Sequence, residues 1–250
     1  MVNPFFIILP LYIYPSPGAW SQIFASISAN PAINFSIIIN PDSGPGSKAY
    51  PDSNYIAAIS QLNSYHNTQL LGYVHSSNGQ RSLSSVEADI NTYRNWASYK
   101  GDDIHLDGIF LDEAPAEYSS TTLNYMRAVY QYVKNTTGKG GGSNNFQHVT
   151  ANPGVIVNKR FYQYADTINV FEDFYSEYTP TTLQTFLPAY RSQSSVMIHN
   201  FSGTLAQQKA LVQSLIRGGV AGLFISNGGI NYNTVSTIWS QFCSDMRLLA

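Results

Sequence analysis

The sequence predicts an α/β fold, a single (β/α)8 barrel spanning residues 1–250. Three observations carry this expectation. Eight short apolar runs recur along the chain, near-continuous in Ile, Val, Leu and Phe, as parallel strands buried on both faces are. Segments with helical spacing lie between them, and eight such alternations in about 250 residues are what a closed barrel needs. No dinucleotide glycine fingerprint follows the first run, which disfavours the runner-up, an open doubly wound sheet.

The eight runs are Phe6–Tyr14, Phe35–Asn40, Leu70–Val74, Gly108–Asp112, His148–Asn152, Ile168–Glu172, Val196–Asn200 and Gly222–Ser226. The first sits in the apolar stretch Phe5 to Tyr14, which Pro10 interrupts and no basic residue precedes. It is too short to span a bilayer and lacks a cleavage site, so it reads as a buried strand, with Met1 the start of a trimmed chain. Ile23, Phe24 and Ile27 make one helical face; Tyr55, Ile56, Ile59 and Leu62 make another. Ser84 stands three residues before Glu87, which predicts a capping box for a helix running through Trp96. Leu123, Met126, Val129, Tyr130 and Val133 continue the pattern. So do Leu205, Leu211, Leu215 and Ile216, with Gly218 and Gly219 as the stop. A last helix is expected from Thr234 to Leu248, with Cys243 as a small buried hydrophobe. Gly138–Asn145 (GKGGGSNN) reads as a flexible loop and lacks the Gly-Lys-Ser/Thr ending of a phosphate loop.

Composition narrows the function classes. Lys and Arg number 13 against 15 Asp and Glu, a net charge of −2, which argues against nucleic acid and against a polybasic membrane surface. Charged residues are only 11%, aromatics 14%, and 18 of those aromatics are Tyr. The surface is therefore built from uncharged polar groups and Tyr, a composition common among secreted proteins and carbohydrate handlers. One Cys precludes an intrachain disulfide without fixing the compartment. Acceptor sequons at Asn34, Asn135 and Asn200 are in line with a secreted or cell-surface protein. A monomer without a cofactor is expected.

In such a barrel the active site forms where the strands end, at their C-terminal edge. The residues that close the runs are therefore candidates: Tyr12, Tyr14 and the turn to Trp20; Asn40; Tyr73 and His75; Asp112 and Glu113; Asn152; Glu172 and Asp173; His199 and Asn200; Asn227. Four of the 15 acids fall in two adjacent pairs at these ends. Buried carboxylates are costly unless paired or shifted in pKa, and two of them flanking one bond are what glycoside hydrolysis requires. Repulsion between them raises one pKa and supplies the acid. Tyr12, Tyr14, Tyr73 and Trp20 offer flat faces for sugar rings. Each residue also fits a plainer role. Glu113 fits a first-turn helix acid, Asp173 a surface acid, Tyr12 and Tyr14 core, and His75 and His199 hydrogen-bonded core histidines. Asp107 opens the fourth run at the opposite rim and reads as structural. Neighbouring strand residues face opposite ways, so Asp112 and Glu113 both enter the barrel only if the chain turns between them. No Gly-x-Ser-x-Gly elbow, His-Glu-x-x-His or paired-Cys spacing is present. His75, His199, Asp112 and Glu172 could gather round a metal only through strand-end convergence, and no metal is expected.

These residues carry a resemblance. Pro10–Pro15 with Gly18–Trp20, Ile38–Pro41 with Ser43–Gly46, Leu71–Val74, Asp107–Glu113 with Pro115, Asn152–Gly154 and Phe171-Glu172 resemble, in order, the spherulin 4-like (spherulation-specific) family, glycoside hydrolase family 135. The resemblance implies a secreted or tethered barrel that cuts α-1,4-linked N-acetylgalactosamine within galactosaminogalactan, a biofilm exopolysaccharide. It maps the family's acids onto Asp112, Glu113 and Glu172 and implies a retaining outcome. The expected roles are Asp112 as nucleophile and Glu172 as general acid/base, with Glu113 tuning them or taking one role. Two alternatives stay open: a non-catalytic carbohydrate-binding barrel, and a preference for deacetylated sugar with Asp42, Asp173 and Glu177 meeting its amines.

Overall fold

Eight parallel strands hydrogen-bond in chain order and close on themselves, so no edge is left open. They are β1 (Phe6–Leu11), β2 (Asn34–Ile39), β3 (Thr68–His75), β4 (Gly108–Asp112), β5 (His148–Asn152), β6 (Thr167–Phe174), β7 (Ser194–His199) and β8 (Gly222–Ile225). The structure, a computed structural model, describes residues 5–135 and 146–249. The Gly138–Asn145 loop and the last two positions of the Asn135 sequon lie outside the described residues.

Continuous apolar sequence makes both faces of each strand buried. Outward residues meet the helices α1 (Ser21–Ala29), α2 (Ser53–Asn63), α3 (Leu83–Asn95), α4 (Ser120–Lys134), α6 (Leu205–Arg217) and α7 (Trp239–Arg247). The four-residue α5 (Thr182–Thr185) lies between β6 and β7, and the β5–β6 crossover carries only a 3-10 segment, Lys159–Tyr164. Fourteen residues separate β5 from β6, too few for a full helix as well as two loops. Asp52, Ser119 and Thr204 cap α2, α4 and α6 through their side chains. Trp239 Nε1 donates to Ser26 Oγ at 2.9 Å and ties the last helix to the first. Cys243 is buried in α7, and burial pushes its thiol up to about 12.

Three sequence expectations shift. The first strand ends at Leu11 rather than Tyr14, where its ladder with β2 stops at the Leu11–Ile39 pair; this leaves Tyr12 at the rim. Helix α3 begins two residues early, with Ser82 rather than Ser84 as its cap, Oγ accepting from Ser85 N. The last helix starts at Trp239 rather than Thr234. Residues 226–238 instead form a rim loop, in which Asn227 Oδ1 accepts from Ser236 Oγ (2.7 Å) and Thr237 N (3.1 Å).

Two features aim the site. Ladder pairing sets His75, Asp112 and Asn152 level on β3, β4 and β5. On β6 the register against β7 slips between Asn169 and Phe171, a bulge at Val170. Strict alternation would send Asn169 and Glu172 to opposite faces; the extra residue lets both face the barrel interior. At the opposite rim Asp107 works structurally, its Oδ2 accepting from Leu70 N at 2.7 Å and its carbonyl from Gln147 N.

Two outcomes are expected. A Cβ on Gly108 would lie 2.1 Å from the His148 carbonyl oxygen, so Gly108→Ala should force strands apart and cost about 3 kcal/mol or more in urea unfolding. His105, beside Asp107 and Asp103, has its pKa raised to about 9. The stability it adds is therefore full below its unfolded value near 6.5 and is lost as pH rises through 9. Unfolding of His105→Gln should lack that decline.

Candidate active site

Side chains from the ends of β1, β3, β4, β5 and β6 and from the loop after β8 gather round one carboxylate pair. Asp112 ends β4, Glu172 stands two residues from the end of β6, and Asn152 on β5 lies between them. Asn152 Nδ2 donates to Asp112 Oδ1 at 2.7 Å and to Glu172 Oε2 at 2.6 Å. Those two oxygens can therefore be no farther apart than the two bonds laid end to end, about 5.3 Å. At about 5 Å and an effective dielectric of 20, two carboxylates repel by about 3 kcal/mol. Two bonds to charged acceptors, at about 1.5–3 kcal/mol each, suffice to hold them together.

The Asn152 amide is itself fixed. Its Oδ1 accepts from Gly154 N (3.1 Å) and Asn169 Nδ2 (2.8 Å), so its nitrogen must face the acids. Turning the Asn169 amide round would set two amide oxygens 2.8 Å apart, so the orientation with its nitrogen toward Asn152 is the favoured one. Asn152-Pro153-Gly154 is a tight turn closed by Gly154 at φ +67, where a side chain would be strained. The Gly154 carbonyl accepts from Glu172 N at 2.9 Å, binding the β5 turn to β6 beside the acid.

Two tyrosines complete the pair. Tyr73 OH donates to Asp112 Oδ2 and Tyr232 OH to Glu172 Oε1, each at 2.7 Å. Tyr12 packs edge-on between them, with ring centroids 5.7 Å from Tyr73 and 5.8 Å from Tyr232. Burial first, then the charges of the acids, push all three phenols up, so they stay protonated. Burial likewise raises the Glu172 pKa, and the Asp112 charge adds to it; the bonds from Tyr232, Asn152 and Asn169 pull the other way. A carboxyl whose pKa is raised beside a second carboxyl is the one suited to donate a proton to a departing oxygen.

The remaining sequence candidates divide. Glu113 does follow a turn, at φ +48, but its side chain is exposed on the rim, while its carbonyl accepts from Asn78 N and Ser76 Oγ. His199 is fully buried near Phe174 and Tyr232, its Nδ1 3.3 Å from Asn200 Oδ1. His75 ends β3 level with Asp112, and its Nδ1 has no partner among the described residues. Trp20, 2% exposed, is core: it donates to the Ile13 carbonyl and packs on Phe24 and Tyr55, so it offers no sugar platform. Tyr14 is exposed at the rim and bound to Asp52 and Asn54, away from the acids. Asn40 and Asn227 shape their own loops through Gly44 N and through Ser236 and Thr237. Asp173 accepts from Phe174 N; Asp42 and Glu177 are exposed, and none of the three joins the pair. Among the described residues no group of three or more His, Cys, Asp or Glu could hold a metal ion.

Sequence reasoning missed Tyr232 and Asn169. Tyr232 lies in a loop that carries no periodicity, and Asn169 sits inside an apolar run. A buried Asn three residues before a strand-end Glu was the one available signal. Also unforeseen was an apolar collar: Tyr14, Tyr118, Val155, Ile156, Phe174 and Ile230 are exposed, and all follow strands onto this rim.

Residues 6–246 match the family described as spherulation-specific family 4. Spherulin-4 of Physarum polycephalum is 30% identical, over 99% of this chain and 71% of that protein. The crystal structure of Aspergillus clavatus Sph3 in complex with GalNAc superposes with a TM-score of 0.89 at 34% identity, covering 99% of each chain. A tamarind chitinase-like lectin superposes at 0.54 with 10% identity, over 96% of this chain and 98% of that one, a likeness of fold alone.

Tyr232→Phe removes a bond that stabilises ionised Glu172, so its pKa should climb further and the basic limb of a kcat/KM profile should move to higher pH. An unmoved limb refutes that role. Because the folded-state pKa of Glu172 is raised, ionising it weakens the fold above the unfolded value near 4.3. The Tm of Glu172→Gln minus that of the parent should therefore grow between pH 4 and 8.

Proposed function

The chain belongs to spherulation-specific family 4, and from that premise we propose that it is an endo-acting, retaining glycoside hydrolase of polymers of α-1,4-linked N-acetylgalactosamine, of the galactosaminogalactan type. The observation that carries the reading is the bridged pair. Retaining enzymes set their carboxyls about 5–5.5 Å apart, inverting ones about 6.5–9.5 Å. The limit of about 5.3 Å imposed by Asn152 supports the first. The likeness to Sph3, whose crystal structure holds GalNAc, supports the sugar.

Asp112 attacks the anomeric carbon while Glu172 gives its proton to the leaving oxygen. Glu172 Oε2 already takes two amide donors, from Asn152 and Asn169, whereas Oε1 takes one from Tyr232, so Oε1 has the freer lone pair for that proton. Once the leaving sugar departs, Glu172 is ionised and draws a proton from the water that attacks the glycosyl–Asp112 ester. Tyr73, donating to Asp112 Oδ2, leaves Oδ1 and Oδ2 each with one bond and orients the carboxylate. The apolar collar supports a long substrate, because exposed apolar groups gathered on one face mark a binding surface. Secretion is in keeping with an extracellular polymer, and among the described residues no helix is long and apolar enough to cross a membrane.

Mass spectrometry of digests of partly deacetylated α-1,4-galactosaminogalactan tests the reading. The parent should release oligosaccharides with acetylated residues at the cut, and 1H NMR should find the α-anomer first. Glu172→Gln and Asp112→Asn should lose on the order of 10²–10⁴-fold in turnover, and Asn152→Ala about 10²-fold through loss of alignment. Binding without products, unaffected by the acid-to-amide changes, would instead identify a lectin-like barrel.

A further inference from the structure

His199 is 0% exposed, yet its Nε2 has no hydrogen-bond partner among the described residues. Buried polar atoms are nearly always satisfied, so an orphan of this kind asks for an explanation. Asn200, at φ +53, donates its backbone N–H to the Gly228 carbonyl at 2.9 Å, and Phe201 N donates to Ser226 O, so the end of β7 is clasped to the loop after β8. With the Asn200 amide oxygen 3.3 Å from Nδ1, the proton belongs on Nδ1 and Nε2 is left an acceptor.

Two aromatic rings lie near the imidazole. Tyr232, 6.4 Å away between centroids, is held by its bond to Glu172 and by packing on Tyr12 and Phe224. Phe174 stands at 4.5 Å, edge to face, and differs: it is 47% exposed and ends its strand. Phe174 and His199 are ladder partners at the ends of β6 and β7, and Phe174 lies two residues beyond Glu172 on the same face. The imidazole is therefore linked to the proposed acid through Tyr232, which neighbours the one and bonds the other, and the exposed ring of the two beside it is that of Phe174.

We propose that the Phe174–His199 stack closes a sugar subsite on the Glu172 side of the pair: the Phe174 ring swings aside, a hexosamine residue donates an N–H or O–H to His199 Nε2, and its apolar face lies between Phe174 and Tyr232. The proposal rests on the glycosidase reading, in which the sugar next to the acid is the leaving group. It separates two functions on neighbouring residues, proton donation by Glu172 and capture of the departing sugar by His199.

The test uses Glu172→Gln as the binding-competent parent and α-1,4-linked N-acetylgalactosamine hexasaccharide, acetylated or fully deacetylated, as probe. Long-range 1H–15N correlation of the imidazoles should find the His199 Nε2 signal displaced at saturation, and the form that displaces it more identifies the donor as amide or amine. His199→Phe, made in the same parent, should weaken binding at least about tenfold in calorimetry, or 1.4 kcal/mol, while its Tm stays level or rises. A purely structural histidine would lower Tm instead. A His199 signal unmoved at saturation, or binding by His199→Phe within twofold of the parent, overturns the subsite and leaves the functional reading standing. No binding of either hexasaccharide by the parent overturns both.

Discussion

One side-chain amide holds two like charges within reach of a single bond. Asn152 Nδ2 spends both its hydrogens on Asp112 and Glu172, and nearly every other feature of the rim serves that geometry. The β4–β5 register brings Asp112 level with Asn152. The bulge at Val170 turns Glu172 inward alongside Asn169. Asn169 and Gly154 N fix which end of the Asn152 amide faces the acids. Remove the amide, and repulsion would turn the carboxyls apart, because the phenols of Tyr73 and Tyr232 pull outward on the far oxygens.

The barrel was legible because its signal is repetitive. Eight buried strands each carry the same apolar signature, and β4 and β5 matched to the residue. The acids were legible for the opposite reason, as rare charges at the ends of apolar runs in a charge-poor chain. What stayed hidden depends on breaks in periodicity. A bulge adds one residue without changing composition, so β6 reads the same with or without it. Tyr232 reaches Glu172 from sixty residues away through a loop whose path no local pattern dictates. Trp20 misled because aromatic character alone does not separate a sugar platform from a core residue; its indole N–H found the Ile13 carbonyl, which let it be buried.

The outer layer is uneven, and the unevenness falls near the acid. Full helices back β1 to β4, whereas 3-10 segments and a single short helix connect β5 to β7. Short connections leave those strand ends less covered, and there the collar residues Val155, Ile156 and Phe174 stand exposed. The side of the barrel that bears Glu172 is thus the more open one. Tyr12, Tyr73 and Tyr232 form a wall of phenols that stay protonated, of which Tyr73 and Tyr232 donate to the acids without adding charge.

The residue after the bridging amide has a consequence for the protein's lifetime. An asparagine ages when the backbone nitrogen of the next residue attacks its side-chain carbonyl, closing a succinimide that opens to aspartate or isoaspartate. At Asn152 that nitrogen belongs to Pro153, which carries no N–H and cannot close the ring. Conversion here would insert a third carboxylate between two that already repel. The proline that shapes the turn therefore also protects the bridging amide, and with it the spacing of the two acids, from slow chemical decay.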